Sequence, residues 1–476
     1  MKILLINPWI YDFTAYDLWM RPVGLLYIAS VLKREGIDID FIDCLDRYDP
    51  RLLKFQNLEK PKGKKDGRGE FYKEEIKKPD ILNNVNRKYS RYGFTEEIFI
   101  SKLNSVEKPD YVFFTSMMIY WYPGVRRIIE IIKDKFPASV TVLGGIYPTL
   151  MYEHSRENTG ADIVFKGESE NKILDFLEDD HPGYQRKYNY NSIDDFPYID
   201  LDFYHKNIFV PLLTSRGCPY KCSFCASGIL FPGFIQRSID LVFDELQYQY
   251  RKYKARNLVF FDDALLVNRE KHINILLEKI IGSNMILKIH TPNGIHPAHI
   301  DLETAKLMKK SGFDTLRLSL ESIDTERIKN MNGKVSPDSF SNAVDHLEKS
   351  GFNRKKLESY IIMGLPEQTP EEVLQTMIFA AGNGVKIRLA SFSPIPGTRD
   401  FEKAIKSGLI DKDIDPLLLN SSVFPLQRKG FTKTDFENIK KIAIMLNYSV
   451  DLGINITRNK KFIDALYGFR YLEKKN

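Results

Sequence analysis

The sequence predicts an α/β protein in two parts. An amino-terminal doubly wound, Rossmann-like domain is followed by six further strand–helix units and a small, mostly helical carboxyl-terminal region. Two observations predict this. Short apolar runs alternate with helix-period stretches along most of the 476 residues, the pattern of parallel sheets with helices on their faces. Between the two parts lies a stretch rich in Tyr, Asp, Asn and Pro, without periodicity, that reads as an ordered connector. The boundaries are residues 1–180, a linker at 181–207, a second domain at 208–400 and a tail at 401–476.

In the first domain, the segment from Met1 to Pro8 reads as a strand, too short an apolar run for a signal peptide. Further strands are expected at Ile37–Cys44, Tyr111–Ser116, Val140–Gly145 and Asp162–Gly167, with helices at Pro22–Glu35, Pro123–Lys135, Thr149–Asn158 and Glu168–Glu178. Ligands of such sheets sit beyond the carboxyl ends of the strands, at the switch point. For a flavodoxin-like order that point lies between the first and third strands, at Asn7, Pro8 and Trp9 on one side and Thr115, Ser116 and Met117 on the other. Gly144-Gly145 ends the fourth strand, where bare backbone lets a ligand approach closely, or where the chain simply turns.

Residues 46–108 form an insertion far longer than an ordinary connection. Lys60–Arg68, basic and with two glycines, reads as a mobile surface loop. The aromatic and basic run Arg87–Phe94 is either an insertion folded back over the sheet edge or a substrate lid. Tyr120-Trp121-Tyr122 either walls a flat cofactor or caps the following helix.

In the second domain, strands are expected at 209–216, 257–263, 287–293, 315–321, 357–366 and 386–394, with helices including Ile239–Tyr253, Glu303–Ser311, Ser339–Ser350 and Pro370–Gly384. Polar groups gather at the strand ends: Asp262-Asp263, then His290, Thr291 and Asn293, then Ser319 and Glu321, Gly364, and Ser391 and Ser393. The tail offers an amphipathic helix at Thr432–Tyr448, with Phe436, Ile439, Ile442, Ala443 and Leu446 on one face, and a basic end beginning at Arg458, Lys460 and Lys461.

The loop after the first of these strands carries the chemistry. Cys218, Cys222 and Cys225, spaced C-x-x-x-C-x-x-C, are three of the four cysteines. Thiolates this close suit a metal or an iron–sulfur cluster. Structural zinc needs a fourth ligand at a matching spacing, and none is near. A four-iron cluster on three thiolates keeps one iron open for a ligand. With no disulfide framework the chain belongs in a reducing compartment, and Cys44 reads as a packed thiol. No segment reaches the roughly 18 apolar residues of a membrane span, so a soluble, cytoplasmic protein is expected. The net charge of +6 from 69 basic and 63 acidic residues is too balanced to argue for nucleic acid.

At Cys218-Pro219-Tyr220-Lys221-Cys222-Ser223-Phe224-Cys225 the chain resembles the radical S-adenosylmethionine (radical SAM) superfamily, whose hallmark is this spacing with an aromatic before the third cysteine. The resemblance implies a partial (β/α)6 barrel and a 4Fe-4S cluster whose open iron chelates S-adenosylmethionine. It also implies reductive cleavage of that molecule to methionine and a 5′-deoxyadenosyl radical, with an electron donor such as flavodoxin or ferredoxin. It further implies that Phe224 and Gly364 approach adenine and that Ser319 and Glu321 contact the ribose and methionine portions. Asp262 and Asp263 either handle a substrate proton or hydrogen-bond S-adenosylmethionine or cap the next segment. His290 reads as structural or substrate-facing.

Ser116-Met117-Met118 with Gly144-Gly145 is similar to the Ser-x-Leu and Gly-Gly elements of cobalamin-binding domains, which implies that Ser116, Gly144 and Gly145 hold cobalamin. The Asp-x-His-x-x-Gly element that supplies a cobalt-ligating His in that family has no counterpart after the first strand. The expected activity is cobalamin-dependent methylation of an unactivated carbon in a small-molecule, lipid or peptide substrate. The alternatives are a radical cyclase or rearrangement enzyme and, from another class, an electron-transfer or cluster-scaffold protein. A methylthiotransferase would need further cysteines for a second cluster.

Overall fold

A computed structural model describes residues 1–333, 335–454, 456 and 460–472. The first domain is a five-stranded parallel sheet in the order Asp38–Asp43, Lys2–Asn7, Tyr111–Ser116, Val140–Gly145, Ile163–Val164. This is a doubly wound order, with the first strand between the second and third. Strand alternation sorts the side chains by face. Ile3, Leu5, Phe113 and Val142 pack with the helices Val23–Arg34 and Glu170–Asp180. Leu4, Ile6, Phe114 and Leu143 face the opposite layer, which includes the helix Tyr122–Lys135. Ile3 to Ile6 are fully buried, as a central parallel strand requires.

The expected helix at Thr149–Asn158 is two helices, Ile146–Leu150 and Tyr152–Thr159, broken at Met151. The first begins directly on Gly145, whose φ of +102° turns the chain out of the strand.

The insertion packs back onto the first domain. Ser90–Tyr92 pairs antiparallel with both Ile10–Asp12 and Lys73–Glu75, and Arg91, Tyr92 and Phe94 are buried. The run Arg87–Phe94 is therefore a folded-back insertion rather than a lid. The Lys60–Arg68 loop is pinned as well. Asp17 and Gly69 exchange backbone hydrogen bonds of 2.9 and 3.1 Å. Buried Arg47 donates to Asp17 at 2.8 Å, to the carbonyl of Lys62 at 3.1 Å and to the carbonyl of Gly67. A guanidinium with several donors in a fixed fork can zip two loops whose composition alone looks flexible.

The second domain is an incomplete parallel barrel. Phe209–Leu212, Asn257–Phe260, Lys288–His290 and Phe313–Thr315 form one sheet, and Arg317–Glu321, Glu358–Met363 and Lys386–Ser391 another. The expected fourth strand thus splits at Leu316, and an isolated bridge between Leu318 and Ile295 links the second sheet to the segment after Lys288–His290. The apolar face of the helix Lys433–Leu452 is buried as expected, against the helix Pro370–Gly382 and the sixth strand. Asn447 exchanges hydrogen bonds of 2.7 and 3.0 Å with the backbone of Ile387, covering that edge. Arg458 lies outside the described residues; Lys460 and Lys461 open the helix Lys460–Leu472.

Candidate active site

The cysteine loop leaves a short hairpin in which Ser215–Gly217 pairs with Phe234–Gln236. Gly217 is obligatory: at φ +78° a Cβ would lie 2.2 Å from the carbonyl oxygen of Gly233. Beyond it Cys218 is half-buried, Cys222 buried and Cys225 exposed. The Cys225 sulfur lies 3.4 Å from the Ser227 hydroxyl. Burial and the charge of Cys218 and Cys222 push the Tyr220 phenol up. Among the described residues, no three His, Cys, Asp or Glu side chains converge as ligands of one metal ion. Three thiolates on one loop fit a cluster instead, where each takes its own iron.

The two aspartates behind the loop diverge. Asp262 is buried and accepts from the Thr214 amide at 3.0 Å and from the Thr214 and Ser215 hydroxyls at 2.7 Å, so its carboxylate ties down the start of the cysteine hairpin. Burial pushes it up to about 6. Asp263 is exposed, accepts from the Ser227 hydroxyl at 2.8 Å and lines a cavity. His290 is held between Thr315 Oγ1 and Asn257 Oδ1, both at 3.1 Å, and burial lowers it to about 4. It is a neutral, structural ring.

The cavity, of about 450 Å³, lies between the carboxyl ends of the first sheet and the barrel interior. Ser116, Gly144 and Gly145 line it from one side, and Ser215, Arg216, Asp263 and Asn293 from the other. The Ser116 hydroxyl is buried without a partner. A Cβ on Gly145 would lie 2.7 Å from the Ser116 carbonyl oxygen, whereas one on Gly144 would meet nothing nearer than 3.9 Å. An unmet hydroxyl beside bare backbone fits a ligand rich in amide groups. Asn7, Pro8 and Trp9 do not line the cavity. Asn7 instead donates to buried Asp43 at 2.7 Å, and Trp9 packs edge-on against Phe99. Tyr120, Trp121 and Tyr122 are also absent from the lining; the Trp121 indole donates to Asp12 at 2.8 Å.

The remaining predicted residues sit apart from this cavity. Phe224, within the cysteine loop, is partly buried. Ser319 is buried against Gly294, and Glu321 ends its strand at φ +63° after a register shift. A glutamate held left-handed at a strand tip is strain of the kind found where a ligand must be met. Gly364 turns at φ +101°, donates to Gln368 Oε1 at 2.7 Å, and would place a Cβ 3.0 Å from the Phe424 ring.

Three residues escaped the sequence reading. Thr149 accepts from the Gly167 amide at 3.0 Å and donates to the Gly145 carbonyl at 2.7 Å. Trp19 stacks on His290 at 4.7 Å and donates to the Asp66 carbonyl at 2.8 Å. Arg216 reaches from the cysteine hairpin to Glu168 at 3.2 Å and Glu170 at 2.6 Å in the first domain. Only Arg216 had a signal, its place just ahead of the cysteines.

The Radical SAM superfamily model matches residues 212–380 and the B12 binding domain model matches residues 90–177. The chain belongs to the radical SAM superfamily. This radical SAM enzyme carries its B12-binding domain ahead of the barrel, and its cofactors are a 4Fe-4S cluster, S-adenosylmethionine and cobalamin. It is similar to an uncharacterised methyltransferase of Pyrococcus horikoshii, 27% identical over 67% of this chain and 75% of the relative. It is also similar to the anaerobic magnesium-protoporphyrin IX monomethyl ester cyclase of Rubrivivax gelatinosus, 22% identical over 65% of this chain and 63% of the relative. The radical S-adenosylmethionine methyltransferase TsrM of Kitasatospora setae, solved with cobalamin and a [4Fe-4S] cluster, shares the fold. The TM-score is 0.62 at 14% identity, over 94% of this chain and 90% of that one. No helix among the described residues is long and apolar enough to cross a membrane.

Proposed function

We propose that this enzyme methylates an unactivated carbon of a small-molecule substrate held between its two domains. The observation that carries the reading is the shared cavity: the residues similar to the cobalamin elements and the barrel residue Asp263 line one space. When bound, the reduced cluster supplies one-electron cleavage of S-adenosylmethionine, and cobalamin supplies a methyl carrier.

The chain's own part is to position and enclose. Cys218, Cys222 and Cys225 would each hold an iron, and the exposure of Cys225 and neighbouring Lys221 supports approach of an electron donor such as flavodoxin or ferredoxin. Ser116 would donate its unpartnered hydroxyl to cobalamin, with Gly144 and Gly145 giving it close backbone approach. Phe224, Ser319, Glu321 and Gly364 would cradle S-adenosylmethionine. Asp262 braces the hairpin, and Asp263 would meet the substrate or take its proton. Trp19, Phe231 and Phe261 keep much of the cavity wall apolar, which excludes water from a radical site.

A second reading, ring closure or rearrangement without methyl transfer, is supported by the likeness to the cyclase. The test is to incubate anaerobically reconstituted enzyme with reductant, methyl-deuterated S-adenosylmethionine and cell extract. Methylation predicts a product heavier by a labelled methyl group, together with 5′-deoxyadenosine. Deoxyadenosine with an unlabelled product selects the second reading, and neither product sinks both.

A further inference from the structure

The middle of the cysteine loop is gripped by the far end of the barrel. The helix Arg399–Lys406 follows the sixth strand, and its second residue, Asp400, forms a reciprocal pair with Ser223. The Asp400 amide donates to the Ser223 carbonyl at 3.0 Å, and the Ser223 hydroxyl donates to Asp400 Oδ2 at 2.7 Å. Both residues are under 5% exposed, at 4% and 3%. One residue earlier, Arg399 Nη2 donates to the carbonyls of Lys221 at 2.6 Å and Asn330 at 2.9 Å. Asn330 precedes Met331, whose carbonyl lies 3.8 Å from the Cys222 sulfur.

Lys221 and Ser223 flank Cys222 on both sides, so these bonds immobilise the two residues that bracket it. The other two cysteines are secured differently. Cys218 follows the Gly217 hairpin, and Cys225 leans on Ser227. The start of the segment is anchored by Tyr220, whose hydroxyl hydrogen-bonds His299 and whose ring packs on His296, and the residues on either side of Cys222 are anchored by the grip. Ligands of metal centres depend on such supporting bonds for orientation and affinity.

We infer that Arg399 and Asp400 are positioning residues for the cluster, acting through Lys221 and Ser223 to set the Cys222 thiolate; this rests on the reading of the three cysteines as cluster ligands. The grip joins the first and sixth units of an open barrel across the cysteine loop.

The test uses the full-length protein, reconstituted anaerobically, as wild type and as Ser223→Ala, Asp400→Ala and Asp400→Asn. Iron and sulfide content, iron loss to a chelator, and the electron paramagnetic resonance of the reduced cluster with and without S-adenosylmethionine are measured. Ser223→Ala and Asp400→Ala should lose iron ~10-fold faster and shift the spectrum. Asp400→Asn, which still accepts from the Ser223 hydroxyl, should restore both towards wild type. Melting of the apo forms separates loss of fold from loss of ligand geometry: faster iron loss with an unchanged melting temperature marks the latter. Wild-type iron retention and spectra in both alanine variants overturn the inference alone. A wild type that takes up no cluster overturns the reading of the cysteines, and the inference with it.

Discussion

His290 and Asp262 are buried ionisable groups less than 30 positions apart, and burial moves them in opposite directions. His290 has a native pKa of about 4 against an ordinary value near 6.5, so the folded protein binds fewer protons than the unfolded chain between those limits. Its contribution is full above about pH 6.5 and is lost as pH falls towards 4. Asp262, raised to about 6, binds more protons when folded, so its contribution falls as pH rises from about 4 to 6. The two slopes oppose each other in the wild type. Urea unfolding across pH 4–7 should show stability rising with pH more steeply in Asp262→Asn than in His290→Asn. Equal slopes would mean that neither group carries the shift. Cys44 makes a simpler case: it is fully buried and its thiol is pushed well up, so it is inert packing. Cys44→Ala should cost ~1–2 kcal/mol in unfolding free energy and leave iron content unchanged.

The Trp19 loop and the Lys62–Gly69 loop act as one element, a plug under the barrel interior. Trp19, at φ +63°, packs on Phe209 and Val259, and Arg68 lies 4.7 Å over its ring. Gly67 at φ +102° fits beneath, where a Cβ would come within 3.1 Å of Phe209 and 3.3 Å of Ile208. Gly67→Ala should therefore cost ~1–3 kcal/mol, read from urea unfolding. Gly228→Ala, where a Cβ meets nothing within 4 Å, should be near neutral. This element was not legible in the sequence. Basic, glycine-containing composition describes what the loop is made of, while its order comes from Arg47 and Asp17, residues that local pattern does not connect to it. The strands and most helices were legible, because alternation and helical period are local signals of burial.

Across the whole molecule, the two domains are tied by the nearly buried ion pair of Arg216 with Glu170, supported by Glu168 and by the rings of Tyr27 and Phe196. Removing one partner of a buried pair strands the other charge. Arg216→Ala should lower unfolding free energy by ~3 kcal/mol, and Arg216→Lys, unable to fork between two carboxylates, should recover only part of it. The connector adds further ties: the Tyr204 hydroxyl donates to Asp43 at 2.8 Å and the Asp200 amide to Ser30 at 2.9 Å. From its own pattern, the sequence determined the two successive α/β units, the cysteine triad and the polar strand ends, since each is a signal carried by neighbouring residues or by a fixed period. Tertiary structure alone decided that Ser116, Gly144 and Gly145 share a cavity with Asp263 and that Asp262 braces rather than faces it. It also decided that Asp400 holds the loop carrying Cys222 from 177 positions away. Those choices depend on which side chains meet after distant segments pack, and no local period records that.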